Sequence, residues 1–139
     1  MSKIHYEKSL WQMLKNNCPA NILLDRVEAK MPLGLPDVQG CSKNRYCGIF
    51  QIELKSIDQW PLVQTKLGVR PEQRLYLNKR GNYKQPVFLF ARVGNEFLLV
   101  HGSNVEDQTK NEWHEKALKV WYEQVDWKEF YNLIFLYYY

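Results

Sequence analysis

The feature that most constrains the fold of this chain is a run of alternating residues from Ile49 to Lys55. Its apolar positions are Phe50, Ile52 and Leu54, and its polar positions are Gln51, Glu53 and Lys55. This alternation predicts a β-strand with one apolar face and one polar face. Glu53 and Lys55 should therefore project from the same side of that strand.

A second acid lies upstream, in the segment Gly34-Leu35-Pro36-Asp37-Val38. The prolines and glycine in and before it exclude regular helix and predict a tight bend that presents Asp37 at a strand start. The stretch from Gln39 to Gly48 is rich in glycine and polar residues and can reverse the chain. We therefore expect a strand ending at Val38 to lie antiparallel beside Glu53, which would bring the two carboxylates together.

Two carboxylates and a lysine on one sheet face need a compensating cation, because like charges are costly to bring together out of water. A hard divalent ion meets that need. Mg²⁺ prefers carboxylate, carbonyl and water oxygens, so Asp37, Glu53 and the backbone carbonyl of Leu54 are the candidate ligands, and Mn²⁺ is expected to substitute. Lys55 would then lie beside a water molecule or a phosphate oxygen.

The spacing of these residues resembles the PD-(D/E)XK nuclease motif, with Pro36-Asp37, a gap of fifteen residues and then Glu53-Leu54-Lys55. Together with the downstream Arg70-Pro71-Glu72-Gln73, the set resembles the VRR-NUC branch of that superfamily. The resemblance covers roughly residues 20–102. It implies that Gln73, on a helix after the strand, completes the catalytic site.

The resemblance implies a metal-dependent DNA endonuclease in which Lys55 orients or deprotonates the nucleophile and Gln73 positions the reacting groups. Stand-alone domains of this branch resemble Holliday junction resolvases, which implies a homodimer acting on branched DNA. Since no residues are identified that would read base edges, we expect the DNA to be selected by shape rather than by sequence. The alternatives are a monomeric nickase or flap nuclease, a catalytically silent DNA-binding module of the same fold, and an interaction protein that uses its aromatic C-terminal region.

The N-terminal helix predicted over residues 5–16 offers one more candidate metal ligand. Glu7, Leu10, Trp11 and Leu14 recur at helical spacing, so Glu7 shares the apolar face. It is either an acid aimed at the metal site or a first-turn acid favoured by the helix dipole, and the sequence is equally consistent with both.

Basic residues are concentrated after the predicted metal-site strand. The chain has a formal net charge of +4. Between Lys66 and Lys84 there are six basic residues and one acid, which predicts contact with a phosphate backbone. The alternative on charge alone is an ordinary solvated helix face. The six are Lys66, Arg70, Arg74, Lys79, Arg80 and Lys84.

The remaining patterns predict a restriction-endonuclease-like α/β fold with a mixed central sheet of four to five strands flanked by helices. A strand is predicted over Ile22–Ala29 and an irregular linker over residues 56–61. Pro71 is predicted to start a helix that ends near Gly81. Leu75 and Leu77 are expected to pack inward from this helix. An apolar hairpin is predicted around Gly94-Asn95.

From about residue 104 the sequence predicts an aromatic helical region within a single domain spanning residues 1–139. Trp113, Ala117, Val120 and Trp121 recur at helical spacing. We expect Trp113, Trp121, Trp127 and Phe130 to pack in the core or at a dimer interface rather than to stack on bases. The chain has no signal-peptide pattern, no long apolar run and no paired cysteine spacing, so we expect an intracellular, cytoplasmic protein without a membrane segment, in the host cytoplasm if phage-encoded.

Overall fold

The computed structural model describes residues 3–27, 34–43 and 48–136, with the backbone alone for residues 3–7. The described α-helices are α1 (Lys3–Asn16), α2 (Pro71–Asn82), α3 (Lys110–Lys116) and α4 (Trp127–Phe135), and a short 3-10 helix spans Gly102–Asn104. The described strands are β1 (Ile22–Arg26), β2 (Val38–Ser42), β3 (Phe50–Ile57), β4 (Val87–Val93), β5 (Glu96–His101) and β6 (Lys119–Tyr122).

These strands form one sheet in the order β1-β2-β3-β4-β5-β6. β3 pairs with β4 in parallel and the other neighbours are antiparallel, which confirms the mixed sheet. The predicted count of four to five strands was too low, because β6 lies in the region that was interpreted as helix. β3, with the candidate acid Glu53, lies in the middle of the sheet.

α2 lies between β3 and β4 because parallel neighbours need a crossover connection. Pro71 occupies the first turn of α2, as predicted, and the helix continues one residue past Gly81 to Asn82. Leu77 packs in the core, whereas Leu75 is 69% exposed. The expectation that Leu75 packs inward was therefore wrong: these two residues are two positions apart and cannot share one helix face.

The sheet is covered on both faces by separate apolar clusters. One cluster joins the apolar side chains of β3 to α1 and α4, through residues such as Leu10, Ile52 and Phe130. The other packs α2 and α3 against β4 and β5, through residues such as Leu77 and Trp113. The polar side of β3 therefore faces the α2 side of the sheet.

The C-terminal region is only partly helical, which corrects the sequence prediction. α3 ends at Lys116 because Ala117 takes an extended backbone (φ −65°, ψ 144°), and the chain then enters β6. Trp121 pairs with Phe97 of β5 in that strand. Trp113, Trp121 and Phe130 are buried within the chain, so their aromatic area stabilises the core.

Two strand boundaries also differ from the prediction. β2 begins at Val38 instead of ending there, and Gln39 to Ser42 belong to the strand rather than to a reversing bridge. β3 continues through Ser56 and Ile57, which were interpreted as linker, because β4 offers them ladder partners in Arg92 and Val93.

Several predictions are confirmed. α1 ends at Asn16, and β4 and β5 form the hairpin around Gly94-Asn95. β1 ends at Arg26 and does not include Val27, and the rest of the predicted continuation to Ala29 lies outside the described residues. No helix within the described ranges is long and apolar enough to span a bilayer.

Candidate active site

Asp37 immediately precedes β2, at the point where the pairing of β2 with β3 ends. Val38, the first residue of β2, pairs with Ile52, and the ladder between β2 and β3 ends there. Beyond the end of the ladder, the backbone amide of Leu54 on β3 donates its hydrogen bond to a side chain, Asp37 Oδ2, at 3.0 Å. The Asp37 carbonyl in turn accepts from the Val27 amide at 2.7 Å, which fixes its backbone.

Glu53 is buried on the neighbouring strand, with only 1% of its surface exposed. Its Oε1 accepts a hydrogen bond from Gln73 Nε2 at 2.9 Å. The same amide is held from the other side, because Gln73 Oε1 accepts from the Arg70 backbone amide at 3.0 Å. Gln73 is therefore a buried, oriented side chain that ties the first turn of α2 to the acid on β3.

Gly34 brings the bend before Asp37 into direct contact with α2. It has φ +70°, and a Cβ there would lie 2.3 Å from the Glu72 carbonyl oxygen. Only glycine fits both this backbone conformation and this approach. The segment that presents Asp37 and the helix turn that presents Gln73 are thus packed backbone to backbone, a contact that the sequence does not reveal.

Lys55 lines a cleft of about 400 Å³ together with Asp37, Glu53 and Gln73. All four sequence-predicted catalytic residues are therefore brought together. Another part of the cleft wall contains residues that sequence reasoning missed, and Gly68, a turn signal, was the available clue. They are Ser56, Ile57, Leu67 and Gly68.

The turn at Leu67-Gly68 shapes that wall. Both residues have positive φ, 51° and 77°, and the Val69 amide donates to the Lys66 carbonyl at 3.0 Å across the turn. Leu67 holds this conformation while buried, with its amide donating to Thr65 Oγ1 at 3.0 Å. A Cβ at Gly68 would lie 3.8 Å from Lys55 Cδ, so the turn runs alongside the lysine.

The donor set fits a hard divalent cation that retains water ligands. In an extended strand the N–H and C=O of one residue point to the same side, so the Leu54 carbonyl lies on the Asp37 side of β3, as its amide does. Two carboxylates and one carbonyl are oxygen donors of the kind Mg²⁺ prefers. No group of three or more His, Cys, Asp or Glu side chains suited to a metal occurs among the described residues.

Glu7 belongs to α1, but its side chain lies outside the described residues, so its role as a ligand stays a prediction. The predicted basic residues are distributed around α2 rather than gathered in the cleft. Arg70 lines the cleft and pairs with Glu72 at 3.2 Å. Lys79 and Arg80 line a separate groove on α2. Lys66, Arg74 and Lys84 lie on the same connection but line neither cavity.

Comparison with solved structures identifies a similar fold in an archaeal protein. The Holliday junction resolvase Hjc of Archaeoglobus fulgidus matches with a TM-score of 0.54 at 13% sequence identity, covering 84% of this chain and 94% of that one. No protein-family model and no curated protein matches the sequence. At this identity the likeness shows the fold alone, and it confirms the predicted restriction-endonuclease-like α/β class.

Proposed function

We propose that this protein is a divalent-metal-dependent DNA endonuclease of the PD-(D/E)XK type, with one domain spanning the chain. The observation that carries the proposal is the convergence of Asp37, Glu53, Lys55 and Gln73 on one cleft. A buried carboxylate held by an oriented glutamine adds little to an apolar core, and its burial is costly without polar partners. The burial of the Glu53 carboxylate is explained if this group takes part in catalysis.

In this proposal Asp37, Glu53 and the Leu54 carbonyl would hold Mg²⁺, or Mn²⁺ in its place. The ion would supply Lewis-acid activation of the scissile phosphate and of the attacking water. Gln73 positions Glu53 through the 2.9 Å hydrogen bond from its amide. Lys55 orients or deprotonates the nucleophilic water and offsets the charge that develops on the phosphate.

Basic residues around α2 would bind the DNA backbone. Arg70 lies in the cleft itself, and Lys79 and Arg80 lie further along the helix. The proposed contacts are to phosphates, which position a duplex without reading its sequence. The six proposed DNA-binding residues are Lys66, Arg70, Arg74, Lys79, Arg80 and Lys84.

We further propose a VRR-NUC-like homodimer that introduces paired nicks in branched DNA. The support is the shared fold with a protein named as a Holliday junction resolvase, because a two-fold junction is matched by a two-fold dimer. Trp113, Trp121 and Phe130 are buried inside the chain, so the interface must use other surface.

Nicking of a supercoiled plasmid tests the nuclease assignment. We expect nicked circles with Mg²⁺ or Mn²⁺ and none with Ca²⁺ or in chelator, because the larger, looser shell of Ca²⁺ does not match Mg²⁺ geometry. Equal rates in chelator would refute the mechanism. No cleavage with any metal, alongside DNA binding, would favour the catalytically silent module.

A cruciform plasmid combined with light scattering tests the resolvase assignment. A dimeric mass and linear product from paired nicks at the cruciform are expected. A monomeric mass with nicked circles and no linear product would refute the homodimeric resolvase while leaving the nuclease assignment in place.

A further inference from the structure

A second cavity lies on the exposed side of α2, beside the catalytic cleft but lined by different residues. Glu72 lines this cavity and the next residue, Gln73, lines the cleft. The volume of the second cavity is about 350 Å³, within the roughly 300–1,000 Å³ range of sites that hold small organic groups. We refer to it as the α2 groove, and its lining is Glu72, Leu75, Tyr76, Lys79, Arg80, Tyr83 and Gln85.

The apolar part of the α2 groove is open to solvent. Leu75 is 69% exposed and Tyr83 is 77% exposed. Single exposed apolar residues are ordinary on a protein surface, but here two of them line one concavity with the ring of Tyr76. A concave apolar surface of this kind is typical of a binding site.

One tyrosine of the α2 groove is fixed in position before any ligand arrives. Tyr76 Oη donates to Gln51 Oε1 on β3 at 2.9 Å. The Arg80 guanidinium carbon lies 4.4 Å from the centroid of the Tyr76 ring. The aromatic ring and the planar cation therefore form one stacked unit that is held against the sheet.

The charge of the α2 groove is positive. Its lining contains one acid, Glu72, within the described residues. The Arg70 guanidinium lies 3.2 Å from this carboxylate, which offsets its charge, while Lys79 and Arg80 contribute two cations. An acceptable ligand should therefore combine a flat apolar group with negative charge.

We propose that the α2 groove binds an unpaired base of a DNA strand, stacked against Tyr83 and Leu75, with its phosphates beside Lys79 and Arg80. A nucleotide supplies both a flat ring and an anion, and stacking on aromatic side chains is the usual way proteins hold unpaired bases. Bases within a duplex have both faces stacked and cannot enter. This inference rests on the proposed nuclease function and deepens it, because it adds unpaired nucleotides beside the cleavage site to the features of branched DNA that the protein would recognise.

The test measures binding in chelator with an Asp37→Asn background, so that cleavage plays no part. The affinity for a duplex carrying a short single-stranded flap is compared with that for a fully paired duplex of equal length, by fluorescence anisotropy. The variants are Tyr83→Ala and Leu75→Ala. Tyr122→Ala on β6 is the matched control, since that tyrosine is 62% exposed and lies outside the groove.

We expect Tyr83→Ala to weaken binding of the flap DNA by roughly 5- to 150-fold, the range for loss of one stacked base. Binding of the paired duplex and the behaviour of Tyr122→Ala should not change. Equal losses on both DNAs, or no loss on either, would overturn the inference. If flap preference depends on Tyr83 but plasmid nicking fails, the groove stands and the nuclease assignment falls; the reverse result removes only the groove.

Discussion

The two faces of β3 differ in chemistry although both are covered by other elements. Phe50, Ile52 and Leu54 are buried among the apolar side chains of α1 and α4. On the other face Glu53 is equally buried but hydrogen-bonds to Gln73 and shares a cleft with Lys55. One face therefore contributes stability and the other carries the proposed chemistry, so substitutions on the two faces should separate these properties.

The largest effect is expected on the polar face. Asp37→Asn or Glu53→Gln should reduce cleavage on the order of 10³-fold or more, because a metal ligand is lost. DNA binding should be unchanged or tighter, since repulsion between carboxylate and phosphate falls. Asp58→Asn, at an exposed acid just after β3, is the control and should cleave normally. Near wild-type cleavage by either site variant would remove the proposed site.

The apolar face should show the opposite behaviour. Ile52→Ala should lower the free energy of unfolding by about 2–5 kcal/mol through lost burial and a residual cavity. Cleavage per folded molecule, measured well below the unfolding transition, should stay close to that of the wild type. Denaturant unfolding and single-turnover rates on one preparation measure both. Loss of turnover at unchanged stability would mean that the two faces cannot be separated.

Lys55→Ala tests the polar face without removing a metal ligand. The rate should fall on the order of 10²-fold, the scale for a positioned acid–base or electrostatic group. Lys43→Ala, at an exposed lysine just after β2, is the control. Single-turnover rates at saturating DNA separate chemistry from binding. A weaker affinity with unchanged turnover would show that Lys55 only binds DNA.

The smallest effect concerns the basic residues beside the polar face. Lys79→Ala should reduce the slope of log affinity against log salt by about one, the value for one lost phosphate contact. Lys128→Ala, at an exposed lysine on α4 across the sheet, should leave the slope unchanged. Identical slopes for the two variants would exclude the α2 side as the DNA-binding surface.

The central part of the fold was predictable because its signals are local. The alternation in β3, Pro71 at the start of α2 and Gly94-Asn95 between β4 and β5 each specify structure over a few residues. The predicted site residues also converge as expected, since antiparallel pairing of β2 with β3 is sufficient to bring Asp37 beside β3. Their catalytic roles stay predictions.

The features of the fold that the sequence did not predict depend on contacts between distant parts of the chain. Val120 and Trp121 have helical spacing from Trp113, but the unpaired edge of β5 draws them into β6. The approach of Gly34 to the Glu72 carbonyl joins segments far apart in sequence. Local patterns cannot reveal either contact, because each depends on what the completed sheet and helix place opposite the residue.

The bond between Tyr131 and Leu14 joins the two ends of the fold. Tyr131 Oη donates to the Leu14 carbonyl at 2.9 Å across 117 positions of sequence. Burial raises the pKa of Tyr131, so its hydroxyl keeps the proton that it donates at ordinary pH. The segment that carries Asp37, Glu53 and Lys55 therefore depends on both ends of the chain. If it were transferred to another protein without α1 and α4, the apolar side of β3 would be exposed to water.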